Sequence, residues 1–206
     1  MEKIVLVGGG GHALSVADSI IQKGEYDIVG YTDLKQNEGF VCRYLGNDDI
    51  LQKCYNEGVE NAVICLGYLG TGRIRDELYK KLKDIGFELP SIIDKTAVVA
   101  RDCNIGDGTY VGKKAVINAS SIVGDMAIIN TGAIIEHSCR IGDYSHVAVG
   151  CVLCGEANVG KHTLIGAGSN VLQGIRIGDD CIIGMGSNVL SDIGNGQKRF
   201  GLIKDE

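Results

Sequence analysis

Tryptophan is missing from this 206-residue chain, and aromatic residues together make up only 5% of it. Any core it forms must therefore be aliphatic. Proline is down to a single residue, Pro90, while glycine reaches 31, about twice its usual share. Those glycines recur inside apolar segments, which excludes a flexible linker. No long basic run occurs and the net charge is −6, so nucleic acid and anionic membranes are poor electrostatic partners. Long apolar runs are absent too. The opening "MEKIVLVGGGG" is too short for a secretory signal, and nothing reaches membrane-spanning length. A cytoplasmic protein without membrane insertion is expected. The eight cysteines contain no CxxC pair, and without a signal they face reducing conditions. Neither a disulfide framework nor a metal site is expected.

What is present is a period. Steps of six from Val99 to Val189 meet an aliphatic residue every time, through Val111, Val123, Ile135, Val147, Val159, Val171 and Ile183 and those between. The position two before each is small (Ala, Ser, Thr or Cys), Ile175 alone excepted. An unbroken six-residue repeat of this kind is the signature of a parallel β-helix. Each hexapeptide gives one short strand, buries a branched and a small side chain, and turns a corner. Three hexapeptides close a triangular coil, and stacked coils share backbone hydrogen bonds. The pattern resembles the left-handed form, an exception to right-handed crossovers. Cys103, Cys139, Cys151 and Cys181 fall in the small inward slot, where a thiol is a compact hydrophobe. That reading sets aside Cys139 as a nucleophile.

The first ninety residues follow another rule. "KIVLV", "YDIVGYTD" and "NAVICLG" read as buried strands, and "HALSVADSIIQKG" and "GRIRDELYKKLKDIG" as amphipathic helices ending at Gly24 and Gly86. Alternation of this kind predicts a small parallel α/β sheet. With Pro90 at the change of period, the expected organisation is an α/β half-Rossmann domain over 1–90, a left-handed β-helix over 91–195 and a polar tail over 196–206.

Between the first strand and helix lies "GGGGHA". Gly8, Gly10 and Ala13 fit G-x-G-x-x-A, and Asp33 ends the second strand. The mechanism is a tight turn that lets a phosphate or sugar approach a helix N-terminus, with the Asp accepting from hydroxyls. It does not demand nicotinamide, for which about three strands are too few. A glycine turn that only packs helix on strand is the bland alternative.

Four histidines occur: His12, His137, His146 and His162. Neither His137 nor His146 falls in an inward slot, and they lie on different sides of a coil, so a neighbouring subunit would bring them together most easily. A zinc site of the γ-carbonic-anhydrase kind needs ligands stacked at eighteen-residue spacing or close in sequence. The separations of 9, 16 and 25 between the three solenoid histidines are neither. His162 reads equally well as a surface residue.

The stretch "NTGAIIEHSCRIGDYSHVAVG" at 130–150, with "VGGGGHA", Asp33 and "CLG" at 65–67, resembles bacterial sugar acetyltransferases of the PglD/NeuD type. The resemblance spans Met1 to about Gly194. It implies an acetyl-CoA-dependent N-acetyltransferase, without metal, acting on the 4-amino group of a UDP-linked amino-dideoxy sugar. Gly10, Gly11 and His12 would contact the nucleotide-sugar, Thr32 and Asp33 its uracil or ribose end, and Gly67 would close the pocket. A homotrimer with sites between subunits is implied, with His137 as general base, His146 as a second active-site histidine, and Ala167 and Met185 along the coenzyme groove.

Imidazole suits that chemistry near pH 7, a corner N–H can serve the oxyanion, and no acyl-enzyme is required. Two features depart from the family pattern. Ser138 stands where relatives carry a carboxylate after the histidine, and Glu156, one coil on and about 4.8 Å away, is the expected substitute. The ending "QKRFGLIKDE" lacks the usual proline, leaving Lys198 and Arg199 as either a coenzyme-phosphate contact or a solvated basic pair. The rival functions are O-acetylation of a sialic acid and a non-catalytic nucleotide-sugar-binding solenoid. A nicotinamide oxidoreductase and a sugar nucleotidyltransferase fit less well.

Overall fold

The computed structural model describes residues 1–70 and 72–204. The chain forms two compact units, one of Met1–Gly67 and Gly72–Lys95, the other of Tyr68–Thr71 and Thr96–Glu206. The division therefore falls five residues beyond the boundary expected at 90, and a short piece of the front half belongs to the second unit. One cause is local. Ser19 Oγ donates to Asp94 Oδ2 at 2.6 Å, in a buried bond that pins the segment after Pro90 to the first unit.

In the first unit β1 (Glu2–Val7), β2 (Tyr26–Thr32), β3 (Tyr44–Gly46) and β4 (Asn61–Ile64) form a parallel sheet ordered β3-β2-β1-β4. Ile4 to Val7 are all buried, as a central parallel strand requires. Helix α1 (Gly11–Lys23) buries Ala13, Val16, Ala17 and Ile20, one stripe at helical spacing. It ends at Gly24, whose φ of 71° lets its N–H return to Ile20 O. A short 3₁₀ turn, Asp48–Ile50, runs into α2 (Leu51–Asn56). Helix α3 (Ile74–Ile85) opens on Asp76 and Glu77 and closes on Lys83, charges that suit its dipole. The strand at 44–46, the turn and α2 carry too little periodicity to be expected from sequence.

The second unit is the left-handed β-helix. Its two-residue strands stack in parallel at eighteen-residue register, as in Ile122↔Arg140, Ile128↔His146 and Ile134↔Val152. The aliphatic ladder is interior, with Val111, Ile129, Ile135, Val147, Leu153, Ile165 and Val171 all fully buried.

The corners obey an equally strict rule. Every sixth residue from 108 to 186 has a left-handed φ, and eight of these are not glycine: Lys114, Ser120, Met126, Ser138, Tyr144, Glu156, His162 and Asp180. That conformation costs about 1–2 kcal/mol for a side-chain-bearing residue. The offset is a hydrogen bond between neighbouring coils. Ser138 N–H reaches Ala119 O, Tyr144 N–H reaches Asp125 O, and His162 N–H reaches Asp143 O, all at 2.8–2.9 Å.

The small slot is more than small. Ser121, Ser145, Thr163 and Ser169 each donate to the carbonyl fifteen residues on, and Cys139 and Cys151 direct their thiols to the equivalent carbonyls.

Within the polar tail, residues 198–203 add two further strands to the solenoid. Lys198–Arg199 pairs with Ile182–Ile183 and Leu202–Ile203 with Asn188–Val189. The register there shortens to sixteen and then fourteen residues, so steps of six from Val189 meet Asn195 and Gly201 and the pattern vanishes from view. Residues 205 and 206 of the expected tail lie outside the described residues. Among the described residues no helix is long and apolar enough to cross a membrane.

Candidate functional site

The four glycines divide into two pairs. A Cβ on Gly8, whose φ is +106°, would meet the Leu66 side chain at 2.6 Å. At Gly9 it would meet the edge of the Tyr31 ring. These two are required by packing. Around Gly10 and Gly11 a Cβ would meet nothing within 4 Å, so the absence of side chains there leaves the start of α1 open. Gly10 caps α1 with extended backbone and no side-chain bond, and no acidic residue occupies the first turn. Such an end attracts an anion through its N–H groups and dipole. A Cβ on Gly67 would lie 4.0 Å from His12 Cβ, so these two expected contacts are neighbours.

Asp33 has a more definite task than the sequence suggests. Its Oδ2 accepts Gly9 N–H at 2.8 Å and its Oδ1 accepts Leu34 N–H at 2.6 Å. Asn37 adds a bond from its Nδ2 to Gly9 O. The carboxylate therefore first of all holds the glycine loop in shape. Thr32 is wholly buried, and its hydroxyl donates to Asp48 Oδ1 at 2.5 Å. Thr32, Asp33 and Asp48 share a cavity of about 200 Å³ with Val7, Leu66 and Ile74. Asp48 is the residue sequence reading missed. It sits outside the fingerprint, in a turn capped by the Asn47 side chain, and only the fold brings it to Thr32.

His137 lies on a solenoid corner and is exposed. A Cβ on Gly155 would stand 2.5 Å from its Nε2 and 2.6 Å from its Cε1, so the imidazole lies directly over that glycine. Ser138 Oγ is 3.4 Å from its Nδ1. Glu156 stacks on this corner as the eighteen-residue spacing implies, but through its backbone: its N–H donates to His137 O at 2.9 Å. No hydrogen bond from the Glu156 carboxylate to His137 occurs among the described residues, and Ser138 is the group beside the ring. The substitution expected of Glu156 is thus not made by hydrogen bonding. Gly155 is a second residue missed; its signal, glycine eighteen residues after a histidine, is visible only once the coil register is known.

His146, the expected second active-site histidine, is buried. Its Nδ1 is 2.7 Å from Tyr68 O and its Nε2 3.1 Å from Asn130 Nδ2. Asn130 Oδ1 is already oriented by Thr131 N–H at 2.8 Å, so the amide turns its NH₂ toward the ring. A carbonyl can only accept, so Nδ1 carries a proton and donates to Tyr68 O. Its visible task is to tie the 68–70 segment to the strand at His146–Val147. Tyr68 strengthens that tie by donating from its hydroxyl to His162 O at 2.7 Å. The His162 ring stacks on Tyr144 at 4.9 Å.

Ala167 and Met185 occupy equivalent corners one coil apart, joined by the bond from Gly186 N–H to Ala167 O. Met185 is 79% exposed. Burial raises the Cys139 thiol to about 11, which removes it as a nucleophile at neutral pH. Among the described residues no cluster of His, Cys, Asp and Glu has the makings of a metal site.

Comparison with known proteins follows the same division. A family model described as the PglD N-terminal domain matches residues 3–82, and one described as bacterial transferase hexapeptide, six repeats, matches residues 156–191. A histidine-to-asparagine variant of perosamine N-acetyltransferase from Caulobacter crescentus, solved with CoA and GDP-perosamine, is 33% identical. That likeness covers 98% of this chain and 94% of the other, with a TM-score of 0.92. The acetyltransferase domain of PglB from Neisseria gonorrhoeae FA1090, solved with acetyl coenzyme A, is 30% identical over 97% of this chain and 96% of its own, with a TM-score of 0.88. WeeI from Acinetobacter baumannii AYE shares the fold at 18% identity, 98% and 97% coverage and a TM-score of 0.83. No curated protein sequence matches.

Proposed function

This chain belongs to the sugar acetyltransferases of the PglD/NeuD type, built on hexapeptide repeats, and from that premise we propose that it moves an acetyl group from acetyl-CoA to the 4-amino group of a nucleotide-linked amino-dideoxy sugar. The observation that carries the proposal is His137, an exposed imidazole laid over a glycine on a solenoid corner. The amine nitrogen attacks the thioester carbon while His137 takes its proton; the C–S bond then breaks and the thiolate of CoA leaves, to be protonated in turn. A backbone N–H at a corner stabilises the oxyanion. No acyl-enzyme forms.

In this reading Gly10, Gly11, His12 and Gly67 meet the diphosphate and sugar, and Thr32 and Asp33 shape the base and ribose end. Ala167 and Met185 line the coenzyme groove of a homotrimer. His146 acts from behind, through the 68–70 segment. Glu156 serves only as backbone support for His137. Two nucleotide carriers compete: uridine, on the resemblance to the PglD type, and guanosine, on the perosamine enzyme solved with GDP-perosamine.

The test is product mass after incubation with acetyl-CoA and, in separate tubes, a UDP-4-amino sugar, GDP-perosamine and free sialic acid. The proposal expects an acetylated nucleotide-sugar, lost in His137→Ala. Acetylated sialic acid alone replaces it with O-acetylation. No product in any tube, with nucleotide still bound, leaves a binding solenoid.

A further inference from the structure

The cavity that holds Thr32, Asp33 and Asp48 has carboxylates for its charged groups and largely apolar walls at Val7, Leu66, Ile74 and Leu78. The two carboxylates are not equivalent. Asp33 already accepts a backbone N–H on each oxygen, from Gly9 and Leu34. Asp48 accepts the Thr32 hydroxyl on Oδ1 alone, and its Oδ2 receives no hydrogen bond from any described residue. Thr32 is fully buried, so it fixes the Asp48 carboxylate while staying out of the solvent itself. The result is a held, acceptor-only group with Oδ2 open and a second lone pair left on Oδ1, beside an apolar slot of about 200 Å³. A flat aromatic ring with N–H donors along one edge is the ligand chemistry that fits it.

Resting on the reading that this cavity takes the nucleotide, we propose that Asp48 selects guanine, so that the carrier is guanosine diphosphate and not uridine diphosphate. A carboxylate offers only acceptors. Guanine alone among the common bases presents two adjacent donors, N1–H and N2–H, spaced to meet the two oxygens of one carboxylate in a charge-assisted pair. Uracil presents a single N3–H flanked by two carbonyl oxygens, which would face the carboxylate oxygens and repel them. Adenine offers N6–H beside the bare acceptor N1, and cytosine N4–H beside the bare acceptor N3. A hydrophobic slot cannot by itself sort bases strongly, whereas a half-buried carboxylate held against the wrong edge rejects it. Thr32 is a positioning residue in this scheme, because it holds the selecting carboxylate without touching the base.

The experiment is calorimetric binding of GDP, inosine diphosphate, UDP and ADP to the full-length protein and to Asp48→Asn. The expected order is GDP first by at least tenfold over UDP and ADP. Inosine diphosphate, which keeps N1–H and lacks the 2-amino group, falls in between. Asp48→Asn keeps an oxygen for Thr32 and places an NH₂ in the cavity, so GDP weakens at least tenfold while UDP holds or improves. UDP bound as tightly as GDP by the wild-type protein overturns the guanine assignment and leaves the nucleotide site standing. Equal loss of GDP and UDP in Asp48→Asn also overturns it. Binding of none of the four overturns the nucleotide-site reading and the assignment with it.

Discussion

The two units of this chain hold their residues in place by different means, and their side chains are legible to different degrees for that reason. In the solenoid every coil repeats the last. A residue's environment is set by its place in a six-residue cycle, and its partners stand eighteen residues away. In the α/β unit no such translation exists. Thr32 meets Asp48, Gly9 meets Asp33 and Ser19 meets Asp94, at sequence distances of 16, 24 and 75. A repeat tells the reader where a side chain is; a sheet with crossovers tells only which residues are buried.

The largest effect is expected from deleting equivalent rungs of the solenoid. Ile129→Ala and Ile135→Ala each remove a fully buried aliphatic, one from each of two sheets of the solenoid. Each is expected to cost about 2–5 kcal/mol, and the two to agree within about 1 kcal/mol, because each stands between two aliphatic residues at eighteen-residue register. Urea unfolding measures both. Costs differing several-fold would show that the coils are not equivalent.

Next in size is Gly155→Ala. The added methyl displaces the flexible imidazole of His137 and not backbone, so the fold should survive with an unchanged melting temperature. A catalytic group moved by about 1 Å loses rate by about tenfold to a hundredfold. The loss should fall on kcat, with nucleotide-sugar KM unchanged. An unaltered kcat would remove Gly155 from the account.

Smaller again is Thr32→Val, which keeps shape and deletes the hydrogen bond to Asp48. About 1–3 kcal/mol is expected, as for a bond to a charged group. It should appear in nucleotide affinity more than in kcat. The opposite split would move Thr32 from recognition to chemistry.

The smallest effect belongs to Cys139→Ser. Serine already fills this slot at Ser121 and Ser145 and makes the same bond to the carbonyl fifteen residues on, so activity should be unchanged. Stability should differ only in alkali. Burial raises the native thiol from 9.0 to about 11, so its contribution is complete below pH 9 and is lost as pH rises toward 11. The serine variant should show a flatter stability curve across that window.

These contrasts also say how far the sequence could be read. The solenoid, its cysteine slot and the two helices capped by Gly24 and Gly86 follow from periodicity and local caps. The corner role of Gly155 needed the coil register. Asp48 could not be found from spacing, because its importance comes from one side-chain bond across sixteen residues in a non-repeating fold. The burial of His146 was hidden for the same reason: outward on its strand, it is covered by Tyr68, which lies 78 residues away. The last coil escaped notice when its register shortened below eighteen residues.

In the proposed function, recognition resides in the α/β unit and chemistry in the solenoid, at His137. One paired measurement on His137→Asn tests it most directly: the Kd for the nucleoside diphosphate, and kcat for acetyl transfer. The expected result is an unchanged Kd and a kcat lower by about a hundredfold or more, the usual worth of a general base. A kcat within a few-fold of the wild-type value would contradict it, and the proton would have to be taken by another group.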